Sequence, residues 1–490
     1  MLKQFAKDFV IYTISGLFTR SIAFILLPFY TRQLSPNDYG AFDYLTALGA
    51  LVGVTAALEI TQGLARALPE SRDGAERRRY SSTALWFTVA TYTAVTGVIV
   101  LFRDSLARHL LGTADFAPSI AVAAASYFAT GLNYFVVNQL RWELRAAASS
   151  VLAISTGVAT IIFASLLVGW LQLGLTGALL AQGLATAIGA GVGFILARPS
   201  FDLIVDRKKL REMLAFSLPL VPSSLGVVVA LYVDRLAIGQ LMSLADVGVY
   251  GVAARIGSIS SLLLLGFQGA LTPLVFTYYR EKETPERIAQ IFRWFVVFAV
   301  LFIIALAMTG SFILRIVSPA AYSSAAAIAP ILSAACIFQG MYIFAPGLAI
   351  ARRTGSIAAI SLCSATANAA FNFILIPVLG ILGAALATLV TSVAGFLVYL
   401  GMGQKHYPIP YPYGLLIIVA GVAALGMAWI IEAAEASLAY RLIADSVVLG
   451  AVAPFLWQLT GLNKAIQDTG MMRGQLRAAL TIRSDRGDQR

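Results

Sequence analysis

QLSPNDYGAF at residues 33–42 and QLMSLADVGVY at residues 240–250 read as two versions of one turn, the second holding one extra residue. Asp38 of the first aligns with Asp246 of the second, an offset of 208. A second pair, LGLTGALLA at 173–181 and LGILGAALA at 379–387, aligns Gly174 with Gly380 at an offset of 206. Two separate matches at nearly one offset argue for a duplicated scaffold. Each copy holds six apolar runs, and six is even, so both copies enter a membrane with the same polarity. Such parallel repeats are related by an axis along the membrane normal, and the substrate site is expected at their interface.

The composition around these turns is that of a chain that mostly avoids water. Of 490 residues, 59% are hydrophobic and only 12% charged, where a soluble domain carries about 25% charged residues. Mean hydropathy is +0.82. A spanning helix needs roughly 20 apolar residues. Runs of that length lie near 9–31, 41–64, 81–102, 117–140, 148–171, 175–197, 214–240, 247–275, 291–314, 324–350, 356–377, 381–402, 413–433 and 442–461. The fold class expected is therefore all-α integral membrane, with about fourteen transmembrane helices. The divisions expected are a six-helix lobe over 1–200, a second over 201–405, an additional helix pair over 406–462 and a basic tail over 463–490.

Orientation follows from Lys and Arg placement. The N-terminus, the tail and the loops after even-numbered spans hold 27 of these residues, the opposite side holds 5, and three lie within spans. Both termini are thus expected in the cytoplasm, and the first helix is expected to serve as the insertion signal. The net charge of +11 belongs to short loops beside anionic lipid, which points to membrane lipids and away from nucleic acid. Loops reach only about 16 residues, which leaves no room for an inserted catalytic domain, and a transporter is expected rather than an enzyme. Neither GxxxxGK[ST] nor HExxH nor GxSxG occurs. Cys336 and Cys363 form no CxxC pair, and His109 and His406 lie far apart, so no metal or other cofactor is expected.

Charges inside spans carry the functional reading, because they are costly there unless they face protein or water. Arg20 lies mid-span in the first run, and Arg255 lies nine residues into the eighth. Arg235 and Asp234 lie in the outer half of the seventh run, and Glu59 in the inner half of the second. Arg20, Arg255 and Arg235 are candidates for an electropositive cavity that binds an anionic substrate, since guanidinium matches phosphate oxygens bidentately. Glu59 and Asp234 are candidates for ion coupling or ion pairing, Glu59 with Arg20 for example. Asp43 and Asp246 read as helix-end acids, Asp246 as an N-cap. Asn133, Asn138, Gln139, Gln268 and Gln339 are candidates to line a polar path, with interhelical hydrogen bonding the commoner role of such residues. Pro219 and Pro222 mark a bend near the start of the seventh run.

The stretch Phe29-Tyr-Thr-Arg-Gln-Leu-Ser-Pro-Asn-Asp-Tyr-Gly40 resembles the opening of polysaccharide transporters in the multidrug/oligosaccharidyl-lipid/polysaccharide exporter superfamily. Phe216-Ser-Leu-Pro-Leu-Val-Pro222, then Asp234-Arg235, then Val247-Gly-Val-Tyr250, is similar to the start of that family's second half, and the Gly380–Ala387 stretch matches as well. The resemblance covers about residues 5–400. It implies two six-helix lobes around a V-shaped cavity with alternating access. It implies an inner-membrane flippase for undecaprenyl-diphosphate-linked oligosaccharide in O-antigen, capsule or exopolysaccharide synthesis, driven by a proton or monovalent cation gradient. The implied partners are the lipid-linked glycan, the polysaccharide polymerase and the chain-length machinery. The alternatives are a flippase for lipid II, the peptidoglycan precursor, and a multidrug or cation antiporter of the same superfamily. The arginine excess inside the spans disfavours the antiporter.

Overall fold

The computed structural model describes residues 2–433 and 438–460, and among these no residue lies in a strand. The basic tail expected over 463–490 lies outside the described residues. In chain order the helices are α1 (Leu2–Gln33), α2 (Pro36–Ala57), α3 (Ile60–Glu70), α4 (Gly74–Leu101), α5 (Arg103–Leu111), α6 (Ala117–Trp142), α7 (Ala146–Ala164), α8 (Gly174–Ala197), α9 (Arg207–Ser217) and α10 (Val221–Leu241). They continue as α11 (Leu244–Gly257), α12 (Ser260–Tyr278), α13 (Thr284–Val317), α14 (Ala325–Gly340), α15 (Gly347–Ile350), α16 (Thr354–Leu379), α17 (Ile381–Gln404), α18 (Tyr413–Ala433) and α19 (Leu438–Thr460). Twelve helical segments among the described residues are long and apolar enough to cross a membrane. They coincide with the second to the thirteenth apolar runs, and the first and last runs fall on α1 and α19. The protein is a multi-pass membrane protein. Side chains such as Trp170 at 80%, Ile195 at 76% and Val378 at 78% exposure turn apolar surface outward, as helices solvated by lipid do.

Both sequence repeats recur as local structure. Ser35 caps α2, its hydroxyl accepting from the Asp38 amide at 3.1 Å and donating to Asp38 Oδ2 at 2.8 Å. Ser243 and Asp246 repeat the pair at the start of α11, at 3.2 and 2.6 Å. The capping residue is thus Ser243, and Asp246, read from the sequence as the N-cap, sits three residues later. A hydroxyl is short enough to reach the free amide of the first turn, while the acid one turn in reaches back to the hydroxyl. In the second repeat, Gly174 and Gly380 both take the left-handed backbone, with φ of +54° and +60°. Glycine alone adopts this region freely, and each residue turns the chain into the next helix. Gly177 and Gly383 then lie so close to the preceding helix that a Cβ would stand 2.9 Å from the Leu167 carbonyl oxygen and 2.3 Å from that of Leu375.

Three apolar runs are less regular than their hydropathy. The second run is not one helix over 41–64. It breaks between α2 and α3 at Leu58 and Glu59, both left-handed with φ of +48° and +53°. Two consecutive non-glycine residues in that region are strained, and hydropathy does not register backbone strain. The eighth run is interrupted at Ser258–Ile259, between α11 and α12. The tenth ends as α-helix at Gly340, followed by a tight turn over Met341–Phe344 and then Pro346. Proline has no amide to continue the ladder. The bend at Pro219 and Pro222 is present, as a 3-10 turn over Leu218–Leu220 joining α9 to α10.

Packing groups the chain into two compact units. One comprises Met1–Ile256, Phe312–Ile328 and Gly355–Gly395. Its core includes Ile60, Leu64, Phe135, Leu140, Leu152 and Met213, drawn from α3, α6, α7 and α9. In this unit α2 and α11, the helices that follow the two repeated turns, meet backbone to backbone. A Cβ on Gly40 would stand 1.6 Å from the Leu244 carbonyl oxygen, and one on Gly248 2.5 Å from that of Pro36. Gly40 and Gly248 are themselves related by the repeat offset. The other unit comprises Gly257–Ser311, Ala329–Thr354 and the described residues from Phe396 onward. Phe292, Phe295, Phe344 and Tyr411 form its aromatic centre, and α18 and α19 pack on α13 through Val419, Ile430, Val448 and Val452 against Val297, Val300 and Ile304.

Gly40→Ala and Gly248→Ala are expected to lower stability by about 1–3 kcal/mol or more, the usual cost of overpacking. Gly97→Ala, with nothing within 4 Å of the added carbon, is expected to be neutral. Thermal unfolding of the detergent-purified variants, followed by size-exclusion recovery, separates the two outcomes.

Candidate functional site

The end of the first unit that carries the repeated turns is bonded across the two sequence halves. Thr31 Oγ1, near the end of α1, donates to the Val317 carbonyl at 2.8 Å, and Arg32 Nη2 donates to that of Ile316 at 2.6 Å. Tyr39 is fully buried and meets the edge of the Tyr322 ring at 6.0 Å between centroids. One turn deeper along α2 sits Asp43, only 5% exposed. Arg235 Nε on α10 donates to its Oδ2 at 2.6 Å, and Arg255 Nη2 on α11 donates to its Oδ1 at 3.2 Å. Gly251 makes the room, since a Cβ there would stand 2.6 Å from Asp43 Oδ2. Aromatic faces cover the guanidiniums: Arg255 lies 5.1 Å from the Tyr39 ring centre, and Arg235 lies 5.4 and 5.9 Å from those of Tyr232 and Tyr250. Cations held over such faces gain further attraction in a dry site.

Asp234, the neighbour of Arg235, turns the other way. Successive helix residues point about 100° apart, so the acid enters a separate polar nest between α10, α11, α16 and α17. Tyr250 Oη donates to its Oδ2 at 2.5 Å, Thr388 Oγ1 to the same oxygen at 3.0 Å, and Asn372 Nδ2 to its Oδ1 at 2.9 Å. Behind these, Asn368 Nδ2 donates to the hydroxyls of Thr388 and Thr391, each at 3.2 Å. Asn372 is wholly buried, and its Oδ1 has no hydrogen-bond partner among the described residues. The nest thus offers one carboxylate, one unengaged amide oxygen and neutral hydroxyls. At the corresponding positions of the first half, 207 residues before Asp234 and 206 before Asn368, Asn372 and Thr388, stand Leu27, Ile162, Leu166 and Gln182. The acid belongs to the second half alone.

Of the residues singled out from the sequence, Arg235 and Arg255 come together on one carboxylate, and Asp234 stands beside them. Glu59 is half-buried at the strained break between α2 and α3, with no ion pair among the described residues. The Arg20 side chain lies outside what the structure describes, as does any Glu59–Arg20 pair. Asp43 is the residue that reading by position undervalues. A carboxylate eight residues into an apolar helix, aligned by the repeat with Gly251, was the available signal. Asn138 bonds within its own helix to the Tyr134 carbonyl, and Gln139 reaches Ser81 on α4 and Glu143.

Residues 5–279 match the family described as polysaccharide biosynthesis protein. The chain belongs to this family. It is 24% identical over 426 residues to the probable low-salt glycan biosynthesis flippase Agl15 of Haloferax volcanii, covering 84% of this chain and 87% of that protein. It is 23% identical over 300 residues to Lsg locus putative protein 1 of Haemophilus influenzae, covering 59% and 69%. Its fold is similar to that of the lipid II flippase MurJ in the inward closed conformation, with a TM-score of 0.69, 12% identity and coverage of 94% and 99%. An inward-facing multidrug resistance MATE family transporter of the MOP superfamily gives a TM-score of 0.61 at 17% identity, covering 79% and 94%. The chain thus shares its fold with these two transporters.

In this family member the Asp43 pair has a clear energetic signature. Asp43→Asn leaves two half-buried guanidiniums on a neutral amide, and loss of one partner from a fully buried pair, the upper limit here, costs about 3–5 kcal/mol. Arg255→Gln is expected to cost less, because Asp43 keeps Arg235 at the shorter of the two contacts. Thermal melts of the two single variants and of the Asp43→Asn/Arg235→Gln double variant check this, with the double variant recovering part of the loss.

Proposed function

We propose that the chain is a flippase that carries undecaprenyl-diphosphate-linked oligosaccharide across the bacterial inner membrane by alternating access, for O-antigen, capsule or exopolysaccharide assembly. Family membership and a relative named as a glycan biosynthesis flippase support the substrate class, and the bias of basic residues supports cytoplasmic termini. The observation that carries the mechanism is the sharing of Asp43, from the first half, between Arg235 and Arg255 of the second. Here Asp43 holds the donors that a diphosphate would use. Separation of the halves at this end withdraws Asp43 with α2 and leaves both guanidiniums on α10 and α11. Two fork-shaped donors suit adjacent phosphates, and guanidinium stays charged at any working pH. After release of the glycan-lipid, Asp43 again becomes the best anion for the pair, and the end closes.

Asp234 is the coupling group in this reading. Its nest, with a single carboxylate and otherwise neutral oxygens, suits a proton or a monovalent cation, whereas divalent ions collect several carboxylates. Asp234 and Arg235 are consecutive on α10, so occupancy of the nest bears directly on the Asp43 pair. The polymerase and chain-length machinery would receive the translocated product.

The test is the sidedness of completed glycan-lipid in cells depleted of the protein and complemented with variants. Accumulation on the cytoplasmic leaflet is expected on depletion. Arg235→Gln and Arg255→Gln, expressed at normal levels, are expected to restore roughly tenfold less transport or worse, the size of one lost charge-assisted contact of about 1.5–3 kcal/mol. Asp234→Asn is expected to uncouple transport from the ion gradient. Unchanged glycan sidedness overturns the substrate, and accumulation of peptidoglycan precursor in its place reassigns it.

A further inference from the structure

Helix α9 lies in the connector between the two sequence halves, and its two faces are chemically unlike. Toward the protein, Lys209 Nζ donates to Glu76 Oε1 at 2.8 Å and lies 3.9 Å from the Tyr80 ring centre, while Glu212 accepts from Tyr80 Oη at 2.7 Å. Met213 is buried against Gly63 of α3, where a Cβ would stand 2.7 Å from the Met213 carbonyl oxygen. Every charge on that face is answered. Toward the outside, Arg207 and Arg211 are exposed, one turn apart, and have no ion pair or hydrogen-bonded partner among the described residues. From them a stripe runs on through Leu210 and Leu214, half-buried where they also touch the core of the first unit, and the exposed Ala215 and Leu218, and these six residues line a groove of about 370 Å³. The spacings of three, four, seven, eight and eleven from Arg207 are those of one helical stripe. Just before α9, Leu203, Ile204 and Val205 are 88%, 41% and 57% exposed.

We propose that this stripe is a binding site for one anionic phospholipid of the surrounding leaflet, with its phosphate on Arg207 and Arg211 and an acyl chain along Leu210, Leu214 and Leu218. The charge pattern matches such a lipid in sign and in order. Two unanswered guanidiniums stand at the polar end of a stripe that turns wholly apolar as α9 leads through Leu218–Leu220 into the spanning α10. Basic residues at a membrane surface attract anionic headgroups, guanidinium grips phosphate oxygens with paired donors, and apolar groups beyond the headgroup level face acyl chains. The exposed Leu203-Ile204-Val205 segment has the character to enter the same leaflet. Because α9 is packed on α3, directly after the strained Leu58–Glu59 break, the lipid would steady the helix pair at that break.

The experiment is native mass spectrometry of the full chain released from nanodiscs, with chain-matched phosphatidylglycerol and phosphatidylcholine as probes. The wild type is expected to retain one phosphatidylglycerol in preference to phosphatidylcholine, with retention falling as salt rises. Arg207→Gln/Arg211→Gln is expected to weaken that retention roughly tenfold or more, and Leu218→Asn, at an exposed position, to weaken it with both arginines intact. Lys208→Gln, an exposed charge outside the stripe, is expected to change nothing. Equal retention of the two lipids by the wild type overturns the proposal. So does equal loss in Lys208→Gln, which would mark diffuse surface charge. Displacement of the bound lipid by an equimolar polyprenyl diphosphate overturns the choice of occupant and assigns the stripe to a carrier lipid.

Discussion

Two glycines decide how α2 and α11, the helices that follow the two repeated turns, meet. In a bilayer, lipid is as apolar as leucine, so helices gain little from hiding apolar surface and associate where backbones can approach closely. Gly40 and Gly248 provide such a place at equivalent positions of the two copies, one turn into α2 and α11. Each lies against carbonyl oxygen of the other helix's first turn. The capping pairs Ser35–Asp38 and Ser243–Asp246 fix the start of each helix, and so the height at which the glycines cross. The buried rings of Tyr39 and Tyr322 and the bonds from Thr31 and Arg32 close the same end.

The crossing also explains why three charges can be held deep in apolar surroundings. A charge there needs partners within hydrogen-bonding reach, and only a close crossing brings α2 near enough to α10 and α11. Asp43 fits because the repeat places Gly251 opposite it. The two guanidiniums arrive from successive helices of the second half. Asp234 faces away into amides and hydroxyls. Adjacent residues of α10 therefore serve different ends: Arg235 binds the halves together, and Asp234 belongs to the second half alone. The duplicated scaffold thus carries one acid that is not duplicated.

On the basic side the same contrast between answered and unanswered charge recurs in α9. Lys209 and Glu212 are tied to α4, while Arg207 and Arg211 are left outward. Distinguishing them requires the helix's rotation about its own axis, which the packing of Met213 on Gly63 supplies.

The sequence by itself determined the long apolar runs and the duplication. These are one-dimensional properties: a run of apolar residues at 1.5 Å per residue either spans the bilayer or does not, and a repeat is a comparison of the chain with itself. It also singled out Arg235, Arg255 and Asp234, because charge is rare in such runs. Only the tertiary structure decided that Asp43 answers both arginines, from 192 and 212 residues away, that Asp234 bonds to Asn372 and Thr388, and that Ser243 rather than Asp246 caps α11. It also decided that the second run breaks at Leu58 and Glu59. Partner choice depends on which helix faces cross and at what height, and backbone strain depends on what surrounds the break. Neither quantity is carried by hydropathy or by spacing along the chain.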